Sequence, residues 1–369
     1  MARMSILHVA QPIDSGVPHA VIGMVRDQVA RGWDVAVACP PESDAHLAAI
    51  DAGGRYFAWP ADRLPGRATR SEARLLAGII ARVGPNVVHL HSSKAGLAGR
   101  FALRGSRATV FQPHGWSFLA TEGLLLTATA AWERFAARWA CAIVCVSEAE
   151  QRVGAEARIG ARFVLARQGV DLQRYSPQGA DARRLARVRL GVPEDAPLAI
   201  CVGRLSRQKG QDALLRAWPL VRAEIAEAQL TLVGDGPDRT VLERQAVAGV
   251  RFAGSSTDVV GWLAAADVVV LPSRWEGLSF LLLEALACGR CVVTTDVAGM
   301  REVVQDDAGA VVAVGDEGAL AAAVSARLRD RALADREGRA GRAMVEHRHD
   351  LLEQHRTIAA LYADLIASR

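Results

Sequence analysis

The chain has 369 residues, 51% of them hydrophobic, and a formal net charge of +4 at pH 7. That length and apolar content suffice for two domains, each with its own core, and speak against disorder. No apolar run reaches the roughly 18 residues of a membrane helix, the start at Met4 is strand-like and not a signal peptide, and 5% aromatic residues with no recognisable module argue against nucleic acid. A cytoplasmic protein is expected, with a peripheral place at the inner face of the membrane as the alternative.

The positive excess sits in the first half, where Arg55, Arg63, Arg67, Arg70, Arg74 and Arg82 cluster over an expected loop and helix. They suit an anionic acceptor, an anionic membrane surface or simply a soluble basic face. Six cysteines fall mostly in apolar strand or helix patterns, and Cys288 and Cys291 form a Cys-x-x-Cys without a second pair at zinc spacing. Structural thiols are the expectation.

In chain order, strands are predicted over 6–10, 35–39, 87–91, 109–114, 143–147 and 163–166, with helical stretches between them. After a linker over 175–181 and a basic helix, a second series follows over 199–203, 230–234, 250–253, 268–271, 291–295 and 310–314. Alternation of this kind predicts parallel α/β architecture. The expected domains are 1–175 and 176–343, with terminal helices over about 344–366.

One stretch resists explanation by packing alone. Asp267-Val-Val-Val-Leu-Pro272 reads as a buried strand, and Glu276-Gly-Leu-Ser-Phe-Leu-Leu-Leu-Glu284 follows it. With Ser279 as cap, a helix over about 280–288 ended by Gly289 is apolar all round, and Glu284 has no basic residue three or four positions away. An unpaired buried carboxylate is costly, so Glu284 needs hydroxyl donors from a ligand or a facing segment. Glu276 falls in the loop outside the strand's carboxyl end, where open α/β sheets bind ligands, and the free N–H groups of Ser279 to Leu282 suit an anion.

This segment, 266–289, resembles the paired-glutamate motif of the retaining nucleotide-sugar glycosyltransferases of the GT-B fold, the family-4 type group related to bacterial glycogen and sucrose synthases. The resemblance runs from residue 5 to the C-terminus. It implies two Rossmann-like domains facing across a cleft, an N-terminal acceptor domain onto which the terminal helix crosses back and a C-terminal donor domain. It also implies that Glu276 contacts hydroxyls of the donor sugar and Glu284 the ribose, with Leu278, Ser279, Phe280 and Leu281 lining the donor.

Further residues carry the same resemblance. Val202-Gly-Arg-Leu-Ser-Arg-Gln-Lys-Gly210 places Arg204 and Lys209 where the family neutralises a diphosphate; Lys209 and Lys94 are the only lysines, against 42 arginines. Leu232-Val-Gly-Asp-Gly-Pro237 contributes Gly234 and Asp235 beside the nucleotide, and Gly254 matches the loop supporting the base. His114, at the carboxyl end of the strand predicted over 109–114, matches the histidine beside the donor sugar; with no nucleophile or orienting carboxylate evident, its expected role is positioning. Near the N-terminus Gly16 fills the second place of a paired glycine, leaving Asp14 and Ser15 as acceptor contacts. Lys94, in Ser92-Ser-Lys-Ala-Gly96, is expected either on the acceptor side or as a structural tie.

The resemblance implies a retaining hexosyltransferase moving a sugar from a nucleotide diphosphate sugar, UDP favoured over GDP, to a polar or lipid-linked acceptor in glycan, glycolipid or secondary-metabolite synthesis. Because no Asp-x-Asp occurs, neither metal nor cofactor is expected, the cations taking that role. The rivals are a nucleotide-sugar epimerase of the same fold and a nucleotide-sugar-binding protein without turnover. An NAD-dependent Rossmann enzyme lacks support, since no Gly-x-Gly-x-x-Gly follows the first strand. The sugar, the base, the acceptor, the linkage, the oligomeric state and whether the protein acts at the membrane are not legible.

Overall fold

A computed structural model describes residues 4–13, 16–297, 299–304 and 307–368. The chain forms two compact units, one of 1–167 with 352–369 and one of 168–351.

The first unit is built on a seven-stranded parallel sheet of order β3-β2-β1-β4-β5-β6-β7. Its strands are β1 (Ser5–Ala10), β2 (Asp34–Cys39), β3 (Arg55–Ala58), β4 (Val87–His91), β5 (Ala108–Gln112), β6 (Ala142–Cys145) and β7 (Phe163–Leu165). The central strands read as continuous apolar runs because helices cover both faces. Leu7, Val9, Val88, Leu90 and Phe111 pack with helix residues Leu76 and Ile80 in one core, and Val35 and Val37 with Val21 and Val25 in the other. Each such side chain contributes roughly 1.5–3 kcal/mol on burial.

The second unit has a six-stranded parallel sheet of order β10-β9-β8-β11-β12-β13. Its strands are β8 (Leu198–Val202), β9 (Gln229–Val233), β10 (Val250–Gly254), β11 (Val268–Leu271), β12 (Cys291–Thr295) and β13 (Gly309–Val312). Leu230, Leu232, Val268, Val270 and Val293 meet Leu214, Trp218 and Val324 of the covering helices. In both sheets the order reverses between two neighbours, β1 and β4 in the first unit and β8 and β11 in the second. That switch point opens a crevice beyond the strands' carboxyl ends.

Two expectations need correction. Strand β3 was not foreseen: only Phe57 of its four residues is buried, and the edge strand otherwise presents Arg55, bonded to Asp34 at 2.7 Å. The stretch 175–181 is not a free linker despite its Ser, Pro and Gly. Tyr175 is 3% exposed and belongs to the core of the second unit. The chain crosses between units earlier, where Val170 N–H donates to His349 O at 2.9 Å and Leu351 N–H to Val170 O at 3.3 Å. Helix Arg331–Arg348 lies within the second unit, and helix Leu351–Ala367 packs into the first, where the Tyr362 hydroxyl meets His89 Nδ1 at 2.6 Å. All six cysteines are unpaired.

Candidate functional site

At the switch point of the second sheet, the loop after β8 meets the loop after β11. Lys209 Nζ bonds Glu276 Oε1 at 2.5 Å, and Ser273 Oγ donates to the same oxygen at 3.0 Å. Glu276 is buried, whereas Lys209 keeps 23% of its side chain exposed. A cation and a carboxylate thus stand side by side, one suited to phosphate oxygens and the other to hydroxyls. The backbone makes this approach possible at Gly210: its φ is +68°, and a Cβ there would fall 2.0 Å from Pro272 O. Arg274 braces the same junction through two bonds to Asp212 at 2.7 and 2.6 Å, which hold the Asp212 carboxyl down at about 2.

Arg204 is half-buried on the β8 loop, its carbonyl accepting from Gln211 Nε2 at 3.0 Å. Next to it the loop after β9 is stitched on both sides: Gly234 N–H donates to Gly254 O at the end of β10 at 2.8 Å, and Leu205 N–H of the β8 loop donates to Asp235 O at 2.9 Å. Only glycine fits at 234, where a Cβ would sit 2.0 Å from Gly203 O. Asp235 is exposed and bonded by Arg239 at 2.9 Å. Gly203, Arg204, Lys209, Gly234, Asp235, Gly254 and Glu276 therefore share the carboxyl edge of one sheet.

Helix Phe280–Ala287 follows, capped by Ser279 in extended conformation and closed by Gly289 at φ +68°. Ser279 makes no side-chain capping bond, which leaves the first-turn N–H groups to other partners. Leu278, Ser279 and Leu281 are buried, and Phe280 is half-buried. Glu284 lies on this apolar helix and is 7% exposed. Its donor within the chain comes from the facing segment: burial pushes its carboxyl up, and the Tyr175 hydroxyl and Arg174 charge pull it back. Burial and the Glu284 charge in turn keep the Tyr175 hydroxyl protonated.

In the first unit, strand β5 stops at Gln112, so His114 stands in the loop beyond it with φ +53°. A non-glycine residue in that region is strained and needs holding. Glu150 holds it, its carboxylate accepting from Gly115 N–H at 2.6 Å and from Val146 N–H at 2.8 Å. Burial pushes Glu150 up to about 7 against those two bonds.

His114 also heads a file of histidines. Its Nε2 is 3.1 Å from His91 Nδ1, His91 Nε2 is 2.9 Å from His8 Nδ1, and His8 Nε2 is 2.9 Å from Gln28 Oε1. Burial lowers His8 and His114 to about 4 and holds His89 and His91 well below the usual range, so all four rings are neutral near pH 7. His8, His89 and His91 bring one ligand atom each within 4.8 Å of one another, yet His8 and His91 already engage both ring nitrogens in hydrogen bonds.

Lys94 proves to be a structural tie. It is 3% exposed, pairs with Glu72 at 2.6 Å and donates to Leu64 O at 3.0 Å and Thr69 Oγ1 at 3.3 Å, pinning the loop before helix Thr69–Val83. Gly16 opens helix Gly16–Ala30 after β1. Asp14 and Ser15 lie outside the described residues.

Sequence reasoning missed His8, Gln28, Glu150, Ser273 and Tyr175. A signal existed for one of them: Ser147-Glu-Ala-Glu150 is a capping box, and Glu150 N–H donates to Ser147 Oγ at 3.0 Å. Ser273 acts only three positions from Glu276, whereas His8, Gln28 and Tyr175 act across long sequence separations that no local pattern announces.

Residues 15–174 match the family model described as Glycosyltransferase Family 4, and residues 196–330 that described as Glycosyl transferases group 1. A Corynebacterium glutamicum GDP-mannose-dependent monoacylated alpha-(1-6)-phosphatidylinositol monomannoside mannosyltransferase is 36% identical over 190 residues, 48% of this chain and 50% of that protein. The Rhizobium meliloti lipopolysaccharide core biosynthesis mannosyltransferase LpsB is 30% identical over 253 residues, 64% of this chain and 69% of that protein. The match spans about half the length of several of these curated relatives. Among solved structures, Anabaena Alr3699/HepE in complex with UDP and glucose superposes with a TM-score of 0.83 at 20% identity, covering 98% of this chain and 100% of that one. Sucrose-phosphate synthase from Thermosynechococcus elongatus gives 0.84 at 22%, covering 100% of each.

Proposed function

We propose, from the premise that the chain belongs to the family-4 nucleotide-sugar glycosyltransferases of the GT-B fold, that it is a retaining hexosyltransferase whose second unit binds the nucleotide diphosphate of the donor. The observation that carries this is the Lys209–Glu276 pair at the switch point of the second sheet. Glu276 takes sugar hydroxyls there, Lys209 and Arg204 take the diphosphate, and Glu284 takes the ribose. His114 positions a sugar hydroxyl.

The acceptor hydroxyl attacks the anomeric carbon on the face from which the diphosphate leaves. As the bond from that carbon to the phosphate oxygen breaks, the acceptor proton passes to the departing oxygen, and negative charge grows on the diphosphate. Lys209, Arg204 and the helix N–H groups at Ser279 stabilise that charge from fixed positions, with no metal called for by the chain's own residues.

For the donor, GDP-mannose takes precedence over the UDP-sugar that the family resemblance favours. Four relatives that are 30–36% identical are mannosyltransferases, three of them GDP-mannose-dependent, beside alpha-maltose-1-phosphate synthases and D-inositol 3-phosphate glycosyltransferases at 34–35%, whereas the UDP complex belongs to a fold neighbour at 20%. An acceptor at an anionic lipid surface is supported by Leu124, Leu125 and Leu126, exposed by 91%, 60% and 42% on one helix, and by exposed Arg63, Arg67 and Arg70. No helix among the described residues is long and apolar enough to cross a membrane.

Calorimetry and turnover on two variants test this assignment. Glu284→Gln is expected to weaken GDP or UDP binding about tenfold through one lost charged hydrogen bond. Lys209→Ala is expected to lower kcat roughly 10²-fold with a smaller effect on donor affinity. Equal nucleotide affinity in Glu284→Gln, or unchanged turnover in Lys209→Ala, contradicts it.

A further inference from the structure

We propose that Gln28, His8 and His91 form a hydrogen-bonded file that decides which ring nitrogen of His114 is left bare, which makes all three positioning residues for sugar transfer. This rests on the reading of His114 as the group that hydrogen-bonds a sugar hydroxyl.

A neutral imidazole carries one N–H and one bare nitrogen. When two neutral rings share a hydrogen bond, one donates and the other accepts, so the choice made at one end of a file propagates to the other. Here Gln28 makes the choice. Its amide oxygen faces His8 Nε2 at 2.9 Å and can only accept, so His8 is protonated on Nε2. His8 Nδ1 is then bare and accepts from His91 Nε2–H at 2.9 Å. His91 Nδ1 is bare in turn and accepts from His114 Nε2–H at 3.1 Å. The file ends on a bare His114 Nδ1, which no hydrogen bond occupies among the described residues.

The Gln28 amide is itself held. It shares a hydrogen bond with the Tyr362 hydroxyl, which in turn is hydrogen-bonded with His89 Nδ1 at 2.6 Å. His8, His91, Gln28 and Tyr362 are all at most 3% exposed, so a ring with the wrong tautomer leaves a buried polar atom without a partner. Together with the Glu150 carboxylate that fixes the turn at Gly115, the file presents His114 as an acceptor. It selects a hydroxyl that donates its proton.

Histidine ring ¹⁵N spectra of the full chain at pH 7, in the absence of any substrate, read the tautomers directly. His8, His91 and His114 are all expected to be protonated on Nε2. Gln28→Met, which removes the accepting oxygen at similar volume, is expected to give mixed tautomers at His114 and to lower kcat/KM for transfer roughly tenfold, with GDP and UDP affinity unchanged. Tyr362→Phe, which frees the amide to turn, is expected to mix the tautomers in the same way and serves if Gln28→Met does not fold. Nδ1–H on any of the three rings in the unmodified protein overturns the proposal. So does an unchanged His114 signal with unchanged transfer in the variants. Uniform Nε2 protonation in a protein that transfers no sugar supports the file and overturns the function assigned to it.

Discussion

Lys94 and Lys209 are the chain's two lysines, and their surroundings give them opposite work. Lys94 is buried with its ammonium bonded to Glu72, Leu64 O and Thr69, so it serves the fold. Lys209 faces a single carboxylate with part of its charge still exposed, so it can meet a ligand. Removing one partner of a buried ion pair strands the other charge. Lys94→Met is therefore expected to destabilise the protein by about 3–5 kcal/mol, measured by urea unfolding. Lys209→Ala, where the lysine keeps 23% of its side chain exposed and Ser273 still donates to Glu276, is expected to cost less than Lys94→Met. Equal losses in the two variants would contradict this division. The sequence made Lys209 conspicuous by its company of Arg204 and glycines, but it left Lys94 open, because Glu72 lies 22 positions away and no local spacing connects them.

At the scale of elements, β1, β4 and the loop after β5 bring four neutral histidines together in the first unit. A base whose folded-state pKa is lowered contributes stability above its unfolded value, and that contribution disappears as pH falls towards the folded value. For His8 the window runs from 6.5 down to about 4 and is worth roughly 3 kcal/mol, and the other three rings act in the same direction. Glu150, raised from 4.5 to about 7, acts oppositely: its contribution is present at acid pH and is lost as pH rises through that range. Four rings outweigh one carboxyl, so thermal stability is expected to fall between pH 6.5 and 4. A midpoint that rises on acidification would contradict the neutral cluster.

The elements themselves were largely legible. Twelve of the strands, helix Phe280–Ala287 and its closure at Gly289 follow from apolar runs, caps and glycines that act over a few residues. Strand β3 was hidden because an edge strand buries one side chain in four. Tyr175 was misread as linker because Ser-Pro-Gln-Gly looks like a turn, while its hydroxyl answers a carboxylate 109 positions away. The same non-locality concealed His8 and Gln28: nothing near either residue in sequence tells that one imidazole will sit on another.

For the molecule as a whole, family membership and the two Rossmann-like units agree with the resemblance carried by the segment from Glu276 to Glu284. If Lys209 and Arg204 carry the diphosphate's charge, transfer should proceed at near its full rate in EDTA. A loss restored by manganese or magnesium would assign that role to a metal instead.

The most direct measurement of the central claim is the proton NMR anomeric signal of the product formed from GDP-mannose, or from UDP-glucose, with a lipid or glycan acceptor. Transfer on the face that the diphosphate leaves predicts an α-linked product from the α-linked donor, and nucleotide release that depends on the acceptor. A β-linked product, or nucleotide released equally well with no acceptor present, would contradict it.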